Sequence, residues 1–292
     1  MKLKGMILLI LSLLLIVLIS FNMIESKKLN SVNVKSYGAV GDGRTDDTKS
    51  IQNAIDTGAS VIFIPDGTYI IDTLISLKPK SKQKIQLAEN ATLKAIPNSS
   101  ESYSIIFLED DSDIVISGGT LLGDRYEHMS ITGQWGHGIQ ISTNTRNIII
   151  KNIVLENFWG DGIYIGYSKN PLDIASQIKL MNIICNNNRR QGISITHAKY
   201  VTIDNILVSN THGSTPECGI DIEPNAGCYV EDVTIKNSTF STNEGYGISM
   251  YGGYGKYIKS INITQCVFIE NYAPLHFGDN SSLISVKECT FK

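Results

Sequence analysis

One phrase, glycine-isoleucine followed by alternating residues, recurs through the second half of this chain and restricts its fold more than any other feature. It stands at Gly138-Ile139-Gln140-Ile141, Gly162-Ile163-Tyr164-Ile165, Gly192-Ile193-Ser194-Ile195, Gly219-Ile220-Asp221-Ile222 and Gly247-Ile248-Ser249-Met250. The spacings are 24, 30, 27 and 28 residues, and Pro274-Leu275-His276-Phe277 takes the same place 27 residues further on. Between successive glycines comes a second phrase, apolar-x-Asn-apolar, at Ile150–Ile153, Leu180–Ile183 and Ile203–Ile206, with a weaker copy at Ile235–Ser238. Such a period marks stacked supersecondary units, none of which can bury its apolar face alone. Each unit alternates with the period of a strand, not a helix, so it is expected to form one coil of a parallel β-helix.

The asparagines agree. Asn152, Asn182, Asn205 and Asn237 share one register, continued by Gln265 and Glu288, and a looser set (Asn157, Asn187, Asn210, Asn243, Asn271) follows the next strand. Asn tolerates the left-handed backbone that a sharp corner between strands requires. Stacked coils would also let its amides bond along the axis.

The N-terminus carries an address. Lys2 and Lys4 precede an apolar run from Met6 to Phe21, the pattern of a secretory signal peptide or an uncleaved N-terminal membrane anchor. Residues 1–30 are assigned to that segment and 31–292 to the solenoid. Either outcome puts the coils outside the cytoplasm, secreted or anchored at the cell surface. The net charge of -3 and the lack of a basic stripe argue against nucleic acid as a partner. Five cysteines suggest buried small hydrophobes, with Cys218 and Cys228 placed to pair across a turn. No Cys/His spacing suggests zinc. The final coil, Val286 to Lys292, has no capping helix, so a truncated reading frame or an oligomer contact there is the expectation.

Before the coils, Ile51, Ala54 and Ile55 stand at helical spacing. They predict one short helix, capped by Thr45 or Asp46, to cover the open end of the solenoid. The stretch Tyr37 to Ile55, with Gly41-Asp42-Gly43, followed by Pro65-Asp66-Gly67-Thr68-Tyr69, resembles the N-terminal signature of the pectate-lyase/polygalacturonase-like superfamily of right-handed parallel β-helix proteins. That resemblance implies an all-β fold and a carbohydrate ligand. It does not choose the reaction, because the superfamily includes hydrolases, lyases, epimerases and tailspikes.

Along the repeating strand the isoleucines alternate inward, so the residues between them point outward. Three sets arise: Gln140, Tyr164, Ser194, Asp221, Ser249 and His276; then Ser142, Gly166, Thr196, Glu223, Tyr251 and Gly278; and, before each glycine, His137, Asp161, Gln191, Cys218 and Tyr246. The candidate catalytic residues are Asp161, Arg190, Asp221, Glu223 and His137. Candidate substrate-binding residues are Tyr164, Arg189, Gln191, Trp135, Trp159 and His212. The indoles of Trp135 and Trp159, at equivalent places in adjacent coils, are either sugar platforms or a ladder over a turn. His197 is expected to be merely exposed, and Arg190 could simply neutralise Asp221. Gly136-His137-Gly138-Ile139 and Asp161-Gly162-Ile163 also resemble polygalacturonase motifs. Their order is reversed here, and that family's Asp-Asp pair and Arg-Ile-Lys are absent.

The favoured chemistry is β-elimination on a uronate-containing polysaccharide. Arg189, Arg190 and Gln191 would neutralise the uronate carboxylate, and His137 or Tyr164 would move the proton. Asp161, Asp221 and Glu223 would position hydroxyls or hold Ca²⁺. An inverting glycoside hydrolase is the alternative. Asp221 and Glu223 lie two residues apart on one strand, roughly 6.6 Å at the backbone, inside the window of roughly 6.5–9.5 Å for an acid and base flanking a water. A sugar epimerase and a non-catalytic, tailspike-like glycan binder are further alternatives.

Overall fold

The computed structural model describes residues 30–142, 144–167, 172–253 and 255–292. The targeting segment therefore lies outside the described residues. Among those described, no helix is long and apolar enough to cross a membrane.

The repeat becomes a right-handed parallel β-helix. The strand Arg146–Glu156 illustrates one coil. Ile148 and Ile150 lie on a first wall, Asn152 turns the chain at φ 53°, and Ile153 and Leu155 lie on a second wall. A further corner at Asn157, φ 58°, leads into the third wall, Asp161–Tyr167. Among the described residues the strand pairings are parallel, with register shifts at Ile141/Ser142 and Asp42/Asp46. The first wall stacks Ile116, Ile150, Leu180, Ile203, Ile235 and Ile263. The second stacks Leu155, Cys185, Val208, Phe240 and Phe268. The third stacks Ile139, Ile163, Ile193, Ile220 and Ile248. These residues are almost wholly buried in one continuous core. Each such side chain contributes about 1.5–3 kcal/mol by leaving water.

The glycines of the repeat have a steric reason. A Cβ on Gly192 would lie 2.1 Å from Val208 Cγ1 and 2.6 Å from the Gly219 carbonyl oxygen. The third wall thus starts where backbone of one coil presses on the next coil and on a second-wall core residue.

Asn152, Asn182 and Asn205 form the expected ladder, with Nδ2···Oδ1 distances of 2.8 and 2.9 Å. Asn237 leaves it and donates to Asp204 instead. The second asparagine set divides in two. Left-handed corners fall at Asn157, Asn187, Asn210, Thr242 and Glu270. Asn243 and Asn271 lie one residue later, in the register of Asn188, and their amides bond backbone across coils.

The capping helix runs Thr48–Asp56, later than the expected caps. Asp46 still accepts the Thr48 N–H, whereas Asp47 is buried and accepts the N–H groups of Val40 and Gly41, pinning the glycine turn. All five cysteines are free, so Cys218 and Cys228 do not pair.

Candidate functional site

The third wall carries the polar columns that the alternation placed outward. Gln140, Tyr164, Ser194, Asp221, Ser249 and His276 stack in that order by strand register. They are not a solvated face. Ser194, Asp221 and Ser249 are all less than a tenth exposed.

Asp161 anchors the cluster and is fully buried. Arg190 reaches it from the next coil with a bidentate fork, Nε to Oδ1 at 2.7 Å and Nη2 to Oδ2 at 2.6 Å, and Nη2 also donates to Ser194 Oγ at 3.1 Å. Burial alone would lower the Arg190 pKa, but the Asp161 carboxylate overrides it and holds the guanidinium above its ordinary value. Arg190 does form a structural ion pair, with Asp161 and not with Asp221. His137 lies on the other side, its Nδ1 3.5 Å from Asp161 Oδ2 and accepting the Asp161 N–H at 3.3 Å. Burial pushes His137 down to about 4, so the ring is neutral at neutral pH. Tyr164 stacks on it at 4.9 Å, and its hydroxyl accepts from Thr196.

Asp221 lies one coil beyond Gln191. The Gln191 side chain donates to Asp221 Oδ2 at 3.3 Å and accepts the Cys218 N–H at 2.7 Å, which fixes its amide. Ser249 bonds Asp221 from the other side and stands 3.4 Å from His276 Nδ1. Burial first, then the charge of Glu223, push Asp221 up to about 7. Glu223 is half-buried at the end of the strand, 3.8 Å from Lys256 Nζ. The three acids offered as calcium ligands do not form a ligand set: Asp161 is committed to Arg190, and no group of three His, Cys, Asp or Glu is poised around a point among the described residues.

The two tryptophans part company. Trp135 is 41% exposed and, with Ser102, His137, Gln140 and Tyr164, lines a cleft of about 370 Å³ beside the cluster. Trp159 is buried. It stacks on His128 at 4.1 Å, carries the Arg189 guanidinium at 3.7 Å and donates to the Thr132 carbonyl. Arg189 also donates to the Gly133 carbonyl at 3.0 Å. His212 does not lean over the face; its ring contacts Arg125 and Asn187 at the preceding corner. His197, expected exposed, is fully buried against Tyr229.

Sequence reasoning passed over Ser249 and His276, although both stood in the Asp221 column. It also missed the support beneath Trp159. There Asp124 accepts from Tyr103 and from the Asn98 backbone, and contacts His128 Nδ1 at 2.8 Å. That network comes from the irregular stretch 123–134, where no period announces it.

The model of the rhamnogalacturonase A/epimerase, pectate lyase-like family matches residues 31–267. The chain belongs to that family. It is 30% identical over 261 residues to the uncharacterized protein YclG of Bacillus subtilis (strain 168), covering 78% of this chain and 44% of YclG. It thus spans less than half the length of that relative. Among solved structures, the N-terminal fragment of bacteriophage phi29 gene product 12 aligns with a TM-score of 0.71 at 22% identity, over 89% of this chain and 45% of that one. The tailspike protein gp49 of Acinetobacter baumannii bacteriophage Fri1, a capsular polysaccharide depolymerase, aligns at 0.68 and 16% identity, over 90% of this chain and 50% of that one. At these identities the structural likenesses establish the fold alone.

Proposed function

We propose that the protein acts on an acidic polysaccharide laid along the third wall and cleaves it by hydrolysis, with Asp221 as proton donor and Glu223 as the base that activates water. The observation that carries this reading is the placement of Asp221. Its carboxyl group is buried between Gln191 and Ser249, with a second carboxyl, that of Glu223, just past the end of its strand. Two carboxyl groups in unequal environments divide into acid and base, and the inverting mechanism needs that pair with a water between them. The near-neutral pKa of Asp221 leaves it a proton to give.

β-Elimination, which the sequence favoured, loses ground on geometry. It requires a cation to neutralise the uronate carboxylate. Arg190 is committed to Asp161 through two short hydrogen bonds, and Arg189 is laid on Trp159. Trp135, open beside His137 and Tyr164, is the sugar platform of this reading. Membership of a pectate lyase-like family and a fold shared with a polysaccharide depolymerase support a glycan substrate. The charged and apolar N-terminal segment supports placement outside the cytoplasm. Protease added to intact cells should then reach the coils of an anchored form, or the protein should be recovered from the medium.

The deciding experiment incubates the protein with uronate-containing polysaccharides and analyses the products. New reducing ends without an unsaturated, ultraviolet-absorbing sugar are expected. Asp221→Asn should lower turnover by about 10²- to 10⁴-fold, the usual scale of a lost general acid. Unsaturated products would replace hydrolysis with elimination, and retention of full activity by Asp221→Asn would move the site elsewhere.

A further inference from the structure

An open groove lies on the first wall, away from the third. It encloses about 560 Å³ and crosses the corner residues Asn147, Gln177, Tyr200 and Asp232. All four adopt left-handed backbone, with φ of 56, 57, 57 and 56°. Asn and Asp tolerate such a corner, whereas Gln177, Tyr200 and, further along the same column, Ser260 and Leu283 take it at the cost usual for an L-residue. What sets Tyr200 apart is its ring. Tyr200 is 54% exposed, so core burial does not offset that cost. The floor beside it is a ladder of Lys179, Thr202 and Thr234 in register. Among the described residues, the side chains of Gln177, Thr202 and Thr234 make no hydrogen bond within the protein.

The lining carries one lysine, Lys179, and one carboxylate, Asp232, and a second lysine, Lys199, stands at its rim. Lys179 is exposed, and Lys199 holds its ammonium 5.7 Å from the Tyr200 ring centroid. Glu231, stacked on Lys199 in register, is committed to Lys259 at 3.1 Å, and Asp232 at the far edge also faces Lys259. Lys199 thus stands by an exposed aromatic ring, with Lys179, two hydroxyls and an amide lining the groove beside it. Coils rise by about 4.8 Å, so the groove runs about 14 Å from Asn147 to Asp232. An aromatic face, hydroxyl and amide partners and unpaired cations are together the chemistry that recognises a chain of acidic sugars.

We propose that this groove is a second polysaccharide site, which holds an acidic glycan chain against Tyr200 on the wall that does no cleavage. Such a site would keep a long polymer on the molecule while the third wall acts on another stretch of it. Its ligand class follows from the groove's own charge, and binding there does not depend on the chemistry proposed for Asp221.

The test is native electrophoresis of the full chain through gels containing dissolved polygalacturonate. The wild-type protein should be slowed. Tyr200→Asn should bind about three- to tenfold more weakly, the scale of one lost aromatic contact. Asn suits the left-handed corner, so the thermal midpoint of Tyr200→Asn should match or exceed that of the wild type; a purely structural tyrosine would lower it. The proposal is overturned if the wild type is not slowed or if Tyr200→Asn is slowed equally. Failure of the hydrolysis reading shows separately, as absence of new reducing ends from a polymer that still retards the protein.

Discussion

The first and third walls are built from the same coils in the same register, yet they treat their outward residues in opposite ways. On the first wall Lys179 is exposed and Thr202 and Thr234 are half-buried, whereas on the third Ser194, Asp221 and Ser249 are nearly inaccessible. The cause lies in the residues just before the glycines. Arg190 and Gln191 fold onto the third wall, bonding Asp161 and Asp221 across coils and Ser194 within their own. The first wall has no such row; its charged neighbours pair along the surface, as Glu231 does with Lys259. Alternation therefore says which residues leave the core, and only the neighbouring coil decides whether they meet water. Desolvated polar columns are where pKa values move, and so where acid–base chemistry becomes available.

The sharpest way to break this contrast is to remove one charge from each wall. Arg190→Ala leaves the Asp161 carboxylate buried without its partner and should cost about 3–5 kcal/mol in denaturant unfolding. Lys236→Ala breaks the pair with Asp204 at 3.2 Å, where the two side chains remain 38% and 29% exposed. That change should cost less than about 1 kcal/mol. Equal losses would mean that the Asp161–Arg190 pair is as solvated as a surface bridge, and the desolvated column would not exist.

A smaller effect should appear in the pH dependence of stability, through two groups of the third wall that pull in opposite directions. Asp221 is raised from 3.8 to about 7, so between those values the folded protein binds more protons than the unfolded chain. Its contribution to stability therefore falls as pH rises through that window. His137 is lowered from 6.5 to about 4, so over that window the unfolded chain binds more protons, and its contribution rises with pH. The two slopes oppose one another between about pH 4 and 6.5, and only the decline from Asp221 remains as pH approaches 7. Asp221→Asn removes one slope and should convert a nearly flat profile into one that climbs from pH 4 to 6.5. An unchanged profile would show that the Asp221 carboxyl titrates as if in water.

The coil was readable in the sequence because its cause is local and repeated. Apolar residues, mostly isoleucine, at the inward positions and asparagine at many of the left-handed corners recur until chance is excluded. The Asp221 column was readable for the same reason. What could not be read was each side chain's choice among neighbours. Arg190 stands within reach of Asp161 and Asp221, and spacing cannot say which carboxylate its fork fits. Trp159 and Trp135 hold equivalent positions, yet only Trp159 is covered, because the irregular stretch 123–134 brings His128 over it. His197 follows a strand end and reads as exposed, but the next coil closes over it through Tyr229. Contacts made by aperiodic segments leave no trace in a periodic pattern.

The smallest predicted effect concerns the corner between the first and second walls, which all the stacked coils share. Asn182 holds φ 54°, donates to Asn152 and accepts from Asn205. Two contributions are mixed there: tolerance of the left-handed backbone and the amide ladder itself. Asn182→Gly keeps the backbone freedom and loses the ladder, whereas Asn182→Ala loses both. The ladder amides are exposed to water, so each hydrogen bond should contribute no more than about 0.5–1.5 kcal/mol. The left-handed backbone costs an ordinary L-residue about 1–2 kcal/mol. Ala should therefore destabilise by about 1 kcal/mol more than Gly in urea unfolding, although glycine also gains entropy in the unfolded chain and narrows the gap. If Ala and Gly cost the same, the asparagines are kept by their mutual hydrogen bonds and not by the corner. The departure of Asn237 toward Asp204 argues against that outcome: it keeps φ 53° after abandoning the ladder.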